Sequence, residues 1–185
     1  KGCTKAQTYN ITQPAVLTTT PSQTNLNCNG VCIGSATVTP GGGTAAYTYA
    51  WLPSGGASSA ASSLCAGNYT VTVTDSKGCT KAQTYNITQP AVLTTTPSQI
   101  NLNCTGVCIG SATVTPGGGT PAYTYAWSPS GGASSAASSL CAGNYSVTVT
   151  DSKGCSQIQA YTITQPAASV SVSATSTTTG CLVAN

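Results

Sequence analysis

The sequence predicts an all-β chain of tandem β-sandwich domains, and three observations carry that reading. The first is a repeat: KGCTKAQTYNITQPAVLTTTPSQ begins at Lys1 and again at Lys77, and KGCSQIQAYTITQPA begins at Lys153, a period of 76 residues. That period is too long for a helical solenoid unit and suits a small domain. The second is the alternation of Tyr69-Thr70-Val71-Thr72-Val73-Thr74, the pattern of a half-buried strand. The third is that no window carries an apolar stripe at helical spacing.

The elements follow in order. A first strand is expected near Val16–Thr20. A second, Ser35–Thr39, runs into the turn Pro40-Gly41-Gly42-Gly43. A third, Ala46–Trp51, places Tyr47, Tyr49 and Trp51 on one face. The stretch Pro53–Ala61 is rich in Gly, Ser and Ala and reads as a short edge strand or a loop. Next come a strand near Ser58–Leu64 and another at Asn68–Thr74. Asp75-Ser76-Lys77-Gly78 is a turn, with Asp able to cap it and Gly able to take positive φ. Thr80–Thr88 returns as the last strand, presenting Tyr85 and Ile87. Short strands about every ten residues, a Trp on the third and Leu64-Cys65-Ala66-Gly67-Asn68-Tyr69 before the last-but-one match an immunoglobulin-like sandwich. Tyr69 then holds the tyrosine-corner position, and Trp51, Trp127, Tyr69 and Tyr145 are the expected structural core.

Gln-Pro is the natural domain boundary. Residues 15–90 form one domain and 91–166 a second, with 1–14 the last strand of a preceding repeat and 167–185 the first strand of a following one. The chain reads as a window on a longer array; alternatively its orphan ends complete neighbouring chains by strand donation. Only Gln89-Pro90 separates the last strand of one domain from the next domain, so neighbours are expected to couple stiffly. The first two copies differ only at Thr24/Ile100, Asn29/Thr105, Ala45/Pro121, Leu52/Ser128 and Thr70/Ser146. Near-identity fits recent duplication in which the number of units matters, and slippage in repetitive DNA makes such copies too.

Each full repeat holds four of the ten cysteines. Their spacing is CxxxC within a loop and no CxxC pair exists, which favours disulfides over a metal site. Small domains short of apolar bulk use such bonds in oxidising compartments. The second and fifth-to-sixth strand starts share a pole, so Cys32 meets Cys65, and Cys108 meets Cys141. Each bond closes a loop worth about 3–4 kcal/mol in the chain-entropy model. Cys79 lies across a turn at the opposite pole, which leaves an internal Cys28–Cys79 bond short or taut. An interdomain staple, Cys28–Cys155, is the leading expectation. Cys3, Cys79, Cys104 and Cys181 then pair outside this chain. An internal Cys28–Cys79 bond in a rearranged first strand stays open beside it.

Composition excludes much. Charged residues are 4% of the chain, and there is no His, Glu or Arg. Most acid/base and nucleophile–base pairs therefore cannot be built, nor can zinc or iron sites that need imidazole or paired carboxylates. No catalytic residue, cofactor or metal is expected. Asp75 and Asp151 are single carboxylates per domain, which makes a poor calcium site. Five scattered Lys make no phosphate-binding surface, so nucleic acid is not an expected partner. No apolar run reaches membrane-span length, and no signal peptide opens the chain. Asn10, Asn68, Asn86, Asn103 and Asn144 head glycosylation sequons, at a frequency that chance explains.

The motifs Cys28-Asn29-Gly30, Gly34-Ser35-Ala36-Thr37-Val38, Gly42-Gly43-Thr44, Tyr47-Thr48-Tyr49-Ala50-Trp51, Ala66–Asp75 and Gly78-Cys79 together resemble the SprB repeat family. Pro121-Ala122-Tyr123-Thr124-Tyr125-Ala126-Trp127 is closer still to that pattern. Those repeats occur in very long surface proteins of Bacteroidota, including a gliding-motility adhesin. The resemblance implies export, display on the bacterial cell surface, and a stalk or adhesive-filament role, but not gliding itself. The pair Cys32/Cys65 looks like a variant of the family pattern.

The leading functional expectation is therefore a non-catalytic structural segment of an extracellular filament or adhesin stalk. Its partners are neighbouring repeats, with self-association into fibres favoured by the low charge. The alternative is a carbohydrate-binding module using Tyr47, Tyr49 and Trp51 as a stacking platform for a surface glycan. Ice or mineral binding through Thr rows is a remoter version.

Overall fold

The computed structural model describes residues 1–167, so the expected strand at 167–185 and Cys181 lie outside the described residues apart from Ala167. Twelve strands are present among the described residues, six in each repeat. In the first repeat they are β1 (Thr18–Thr24), β2 (Gly34–Gly41), β3 (Thr48–Leu52), β4 (Ala60–Leu64), β5 (Gly67–Thr74) and β6 (Thr80–Ile87). The second repeats them as β7 (Thr94–Ile100), β8 (Gly110–Gly117), β9 (Thr124–Ser128), β10 (Ala136–Leu140), β11 (Gly143–Thr150) and β12 (Ser156–Ile163). Two compact units result. The first is Lys1–Thr94 with Gly117–Ala122 and Asp151–Cys155; the second is Thr95–Pro116 and Tyr123–Thr150 with the described residues from Ser156 to Ala167.

In the first repeat one sheet has the order β1-β2-β4 and the other β3-β5-β6, every pairing antiparallel. This is the immunoglobulin-type division of strands, with the fourth strand of the larger sheet left out. The segment between β3 and β4 forms bends instead. The second repeat has the same orders, β10-β8-β7 and β12-β11-β9.

Each sandwich encloses its own core. Ala36, Val38, Ala61 and Leu64 from one sheet face Trp51, Tyr69, Val71, Val73, Tyr85 and Ile87 from the other. Trp51 packs against Tyr85 at 5.4 Å between ring centroids, and its indole N–H donates to the Ser58 carbonyl at 2.9 Å. The Tyr85 hydroxyl crosses between the sheets to the Thr37 carbonyl at 2.7 Å. Gly34 has no room for a side chain, because a Cβ there would stand 2.8 Å from the Ile87 Cγ2 of the opposite sheet and 2.9 Å from the Leu64 carbonyl oxygen of its own. Polar side chains tie the edge strand β1 to β6: Gln23 donates to the Asn86 carbonyl at 2.8 Å and Thr19 to Gln83 at 3.2 Å. Such ties shield edges that would otherwise pair with other chains.

The strands differ from the sequence reading in places. β1 continues through Pro21 to Thr24. It is an edge strand, where a missing N–H need cost no ladder bond. β4 carries a bulge, with Gly34 opposite Leu64 and Ala36 opposite Ala61. Ser63 takes a φ of 56° there, so Ala61 and Leu64, three residues apart, both face the core. Residues 1–17 form no strand. Tyr9 and Ile11 stand 76% and 93% exposed.

Candidate functional site

The chemistry of this chain lies in its cysteines and in the turns that present them. Cys32 is joined to Cys65, and Cys108 to Cys141, each pair 33 residues apart in sequence. These bonds lie where β2 and β8 begin and where β5 and β11 begin. Beside the first, the Tyr69 hydroxyl donates to the Cys65 carbonyl at 3.2 Å, a return bond four residues upstream in the manner of a tyrosine corner. The equivalent Tyr145 bonds Cys141 at 3.3 Å but is only half-buried. That ring packs partly buried against the second core, and Trp51, Trp127 and Tyr69 are buried.

The third bond joins Cys28 to Cys155, 127 residues apart, with Cα atoms 5.6 Å apart. Both cysteines belong to the first compact unit. Cys28 sits in a loop held by the residues that follow β6. Leu26 N–H donates to the Thr88 carbonyl at 2.9 Å, Asn29 Nδ2 to the Pro90 carbonyl at 3.0 Å, and Gly30 N–H to Gln89 Oε1 at 2.9 Å. Cys155 sits at the end of the Asp151 turn, its sulfur 3.3 Å from the Asn27 carbonyl oxygen. Among the described residues Cys3, Cys79 and Cys104 are exposed and unbonded, so the alternative Cys28–Cys79 bond is not the one formed.

Each cysteine turn is organised by a buried aspartate. Asp75 Oδ1 accepts the N–H groups of Lys77 and Cys79 at 2.9 and 2.8 Å, and Oδ2 accepts that of Thr44 at 2.9 Å. Gly43, at a φ of 59°, leaves room for it, since a Cβ there would stand 2.9 Å from Oδ2. The Thr44 amide, working against burial and joined by those of Cys79 and Lys77, holds the Asp75 carboxyl below the usual carboxylate range. At Asp151 burial pulls the other way most strongly, yet the amides of Thr120, Cys155, Lys153 and Gly154 together outweigh it and its carboxyl is lowered too. Sequence reasoning saw a turn cap; the signal it missed is the Gly-Gly-Thr opposite, whose backbone meets the carboxylate.

The rings proposed for a stacking platform do not form one. Trp51 is 6% exposed, and Tyr47 and Tyr49 are half-buried against the core, so their faces are turned inward. Among the described residues no group of His, Cys, Asp or Glu is arranged to hold a metal.

The SprB repeat family matches residues 20–56 and 96–132, each match running from the first strand of a sandwich to the loop after its third. No curated protein matches the chain. Among solved structures, it is similar to a chain from work on the structural basis for Dscam isoform specificity, with a TM-score of 0.36, 14% identity, and 82% of this chain against 47% of that one covered. It is also similar to surface layer protein SbsC, domains 1–6, with a TM-score of 0.35, 14% identity, and coverage of 85% and 29%. The chain thus spans about half the length of the first and less than a third of the second.

Proposed function

We propose that this chain is a non-catalytic structural segment of an extracellular filament or cell-surface adhesin stalk, in which successive repeats are stapled to one another. The observation that carries the reading is the Cys28–Cys155 bond, which ties residue 28 of one repeat to residue 155 of the next. Near-identical tandem copies, SprB repeats among them, support a role set by number and length of units. Three disulfides fit an oxidising, non-cytoplasmic setting. Charged residues are 4% of the chain, which leaves little repulsion between neighbouring molecules.

The staple also sets a load path. Tension on the two ends reaches Cys28, crosses the disulfide and leaves from Cys155, so the residues between are spared. Stretching single molecules tests this. Of the 127 residues bridged, the two inner disulfide loops of 33 stay closed in either case. The Cys28→Ser chain should therefore extend by roughly 200 Å more than the parent chain, at about 3.3–3.6 Å per residue. Equal extension would contradict a load-bearing staple.

A further inference from the structure

Asn29-Gly30 is the only Asn-Gly pair in the chain, and it forms the turn beside Cys28 between β1 and β2. In an Asn-Gly pair the side-chain amide is open to attack by the next backbone nitrogen. Glycine has no Cβ to screen that nitrogen, and its wide conformational range lets the nitrogen reach the Asn Cγ. In the second repeat Thr105-Gly106 stands at the same place, and a threonine has no acyl carbon to attack. The two loops have the same hydrogen bonds, since Gly106 N–H donates to Gln165 Oε1 at 3.1 Å and Thr105 Oγ1 to the Pro166 carbonyl at 3.3 Å. One loop is chemically live and its twin is inert.

In the folded loop both reacting groups are occupied. The Gly30 nitrogen is the nucleophile, and its N–H donates to Gln89 Oε1 at 2.9 Å. Asn29 Nδ2 is the leaving group, and it donates to the Pro90 carbonyl at 3.0 Å. Attack requires Gly30 to lose its amide proton. A hydrogen bond to the protonated form holds that form, and the anion would face the lone pairs of Oε1. Attack also requires the Asn29 carboxamide to leave Pro90 and turn back on Gly30. Asn29 is half-buried, so that turn needs the loop to lift. Solvent is already at hand, because among the described residues nothing lies within 4 Å of where a Gly30 Cβ would stand.

We propose that Asn29 is a self-modification site, kept silent by Gln89 and Pro90 while the loop is seated and converted irreversibly once the loop lifts. Hydroxide takes the Gly30 amide proton, and the freed electron pair forms a bond from that nitrogen to Asn29 Cγ. The Cγ–Nδ2 bond breaks; Nδ2 takes a proton from water and leaves as ammonia, returning the hydroxide. Water then opens the five-membered imide at either carbonyl carbon. One opening leaves an aspartate at position 29; the other leaves an isoaspartyl link, with one methylene added to the main chain. The net change is asparagine and water to carboxylate and ammonium. Either product undoes the anchorage. A carboxylate sets an acceptor where the Pro90 carbonyl needs a donor, and the longer main chain carries the Gly30 N–H off Gln89. The new charge beside Cys28 also disfavours the thiolate through which a disulfide re-forms. The site rests on the loop alone; its effect on the Cys28–Cys155 bond rests on the stapled-segment reading above.

The test incubates the full chain in mildly alkaline buffer, with and without guanidinium chloride, then reduces it and digests it with pepsin in acid, where ring closure stops. Mass spectrometry follows conversion at position 29, and an isoaspartyl methyltransferase measures the isoaspartyl product. The folded chain should convert roughly tenfold or more slowly than the denatured one, the worth of two hydrogen bonds. Gln89→Ala should speed conversion in the folded chain about two- to tenfold, the worth of one. Cys28→Ser should leave the rate unchanged, because the hydrogen bonds seat the loop. Thr105→Asn leaves Gln89 in place and should create a second site, slow when folded and fast when denatured, which decides the matter even if Gln89→Ala does not fold. Asn29→Asp should speed amide exchange at Gly30 by about two- to tenfold. Equal rates at Asn29 with and without denaturant, indifference to Gln89→Ala, acceleration by Cys28→Ser, a Thr105→Asn site as fast folded as denatured, or a Gly30 still protected in Asn29→Asp would each overturn the proposal. An unreduced digest reports the Cys28–Cys155 linkage separately: its absence fails the stapled-segment reading and leaves the Asn29 site standing.

Discussion

The Cys28 loop is covalently bonded and the Cys104 loop is not, yet the two have the same shape. Gly30 and Gly106 take φ values of 75° and 77°, and Leu26 and Leu102 each donate to a carbonyl after the last strand at 2.9 Å. Even the Asn29/Thr105 difference is absorbed, since either side chain reaches the proline carbonyl. The difference in bonding with no difference in form teaches that hydrogen bonds from the Gln-Pro segment shape the loop and the disulfide only locks what is already presented. The Cys79 and Cys155 turns make the same point from the other side, with the aspartate in the role of the Gln-Pro segment.

That comparison can be broken at four levels. The largest effect belongs to the cores. Trp51→Ala and Trp127→Ala should each cost about 3–5 kcal/mol, and chemical denaturation should find the two losses alike because the two cores are alike. Cys32→Ser and Cys108→Ser should follow, at about 3–4 kcal/mol each; a marked inequality between them would show that the repeats are not energetic equivalents.

The third level is pH. Asp75 and Asp151 have folded-state pKa values below their unfolded ones. Their contribution is therefore present above about pH 4 and lost as pH falls through the lower folded values. Thermal melts should show Tm falling below about pH 4 in the parent chain. Asp75→Asn with Asp151→Asn should start from a lower Tm at neutral pH and change less on acidification. Tyr85 and Tyr161 work in the opposite sense, since burial raises their pKa values. Their contribution is full below about pH 10 and lost as pH rises beyond it.

The smallest effect is the most pointed. Gln89→Ala and Gln165→Ala each remove one loop hydrogen bond, worth about 0.5–1.5 kcal/mol. Amide exchange at Gly30 and Gly106 should speed up by up to about tenfold in both, whereas Cys28→Ser should leave Gly30 protected. Protection lost with the disulfide would reverse the order of causes.

Much of this was legible in the sequence because the strands obey simple alternation. Tyr69, Val71 and Val73 point inward as their spacing requires, and Trp51 follows on the same rule. What alternation missed was where the backbone departs from it. Leu64 faces the core only because the Ser63 bulge resets the phase. The strand through Pro21 depends on its edge position, which is a property of the sheet and not of the residue. The candidate site was half legible: strand directions joined Cys32 to Cys65 and left Cys28 to choose between Cys155 and Cys79, while the Gln-Pro segment read only as a boundary. Its role as the anchor of the Cys28 loop depends on contacts some sixty residues apart, for which local pattern carries no signal.

The measurement that tests the central claim most directly is a non-reducing tryptic map of the untreated chain by mass spectrometry. Its five lysines place Cys28, Cys79 and Cys155 in three different peptides. A stapled segment requires Ala6–Lys77 linked to Gly154–Asn185, and its loss on reduction. Ala6–Lys77 linked instead to Gly78–Lys81 would mean a Cys28–Cys79 bond within one repeat, independent beads, and no staple.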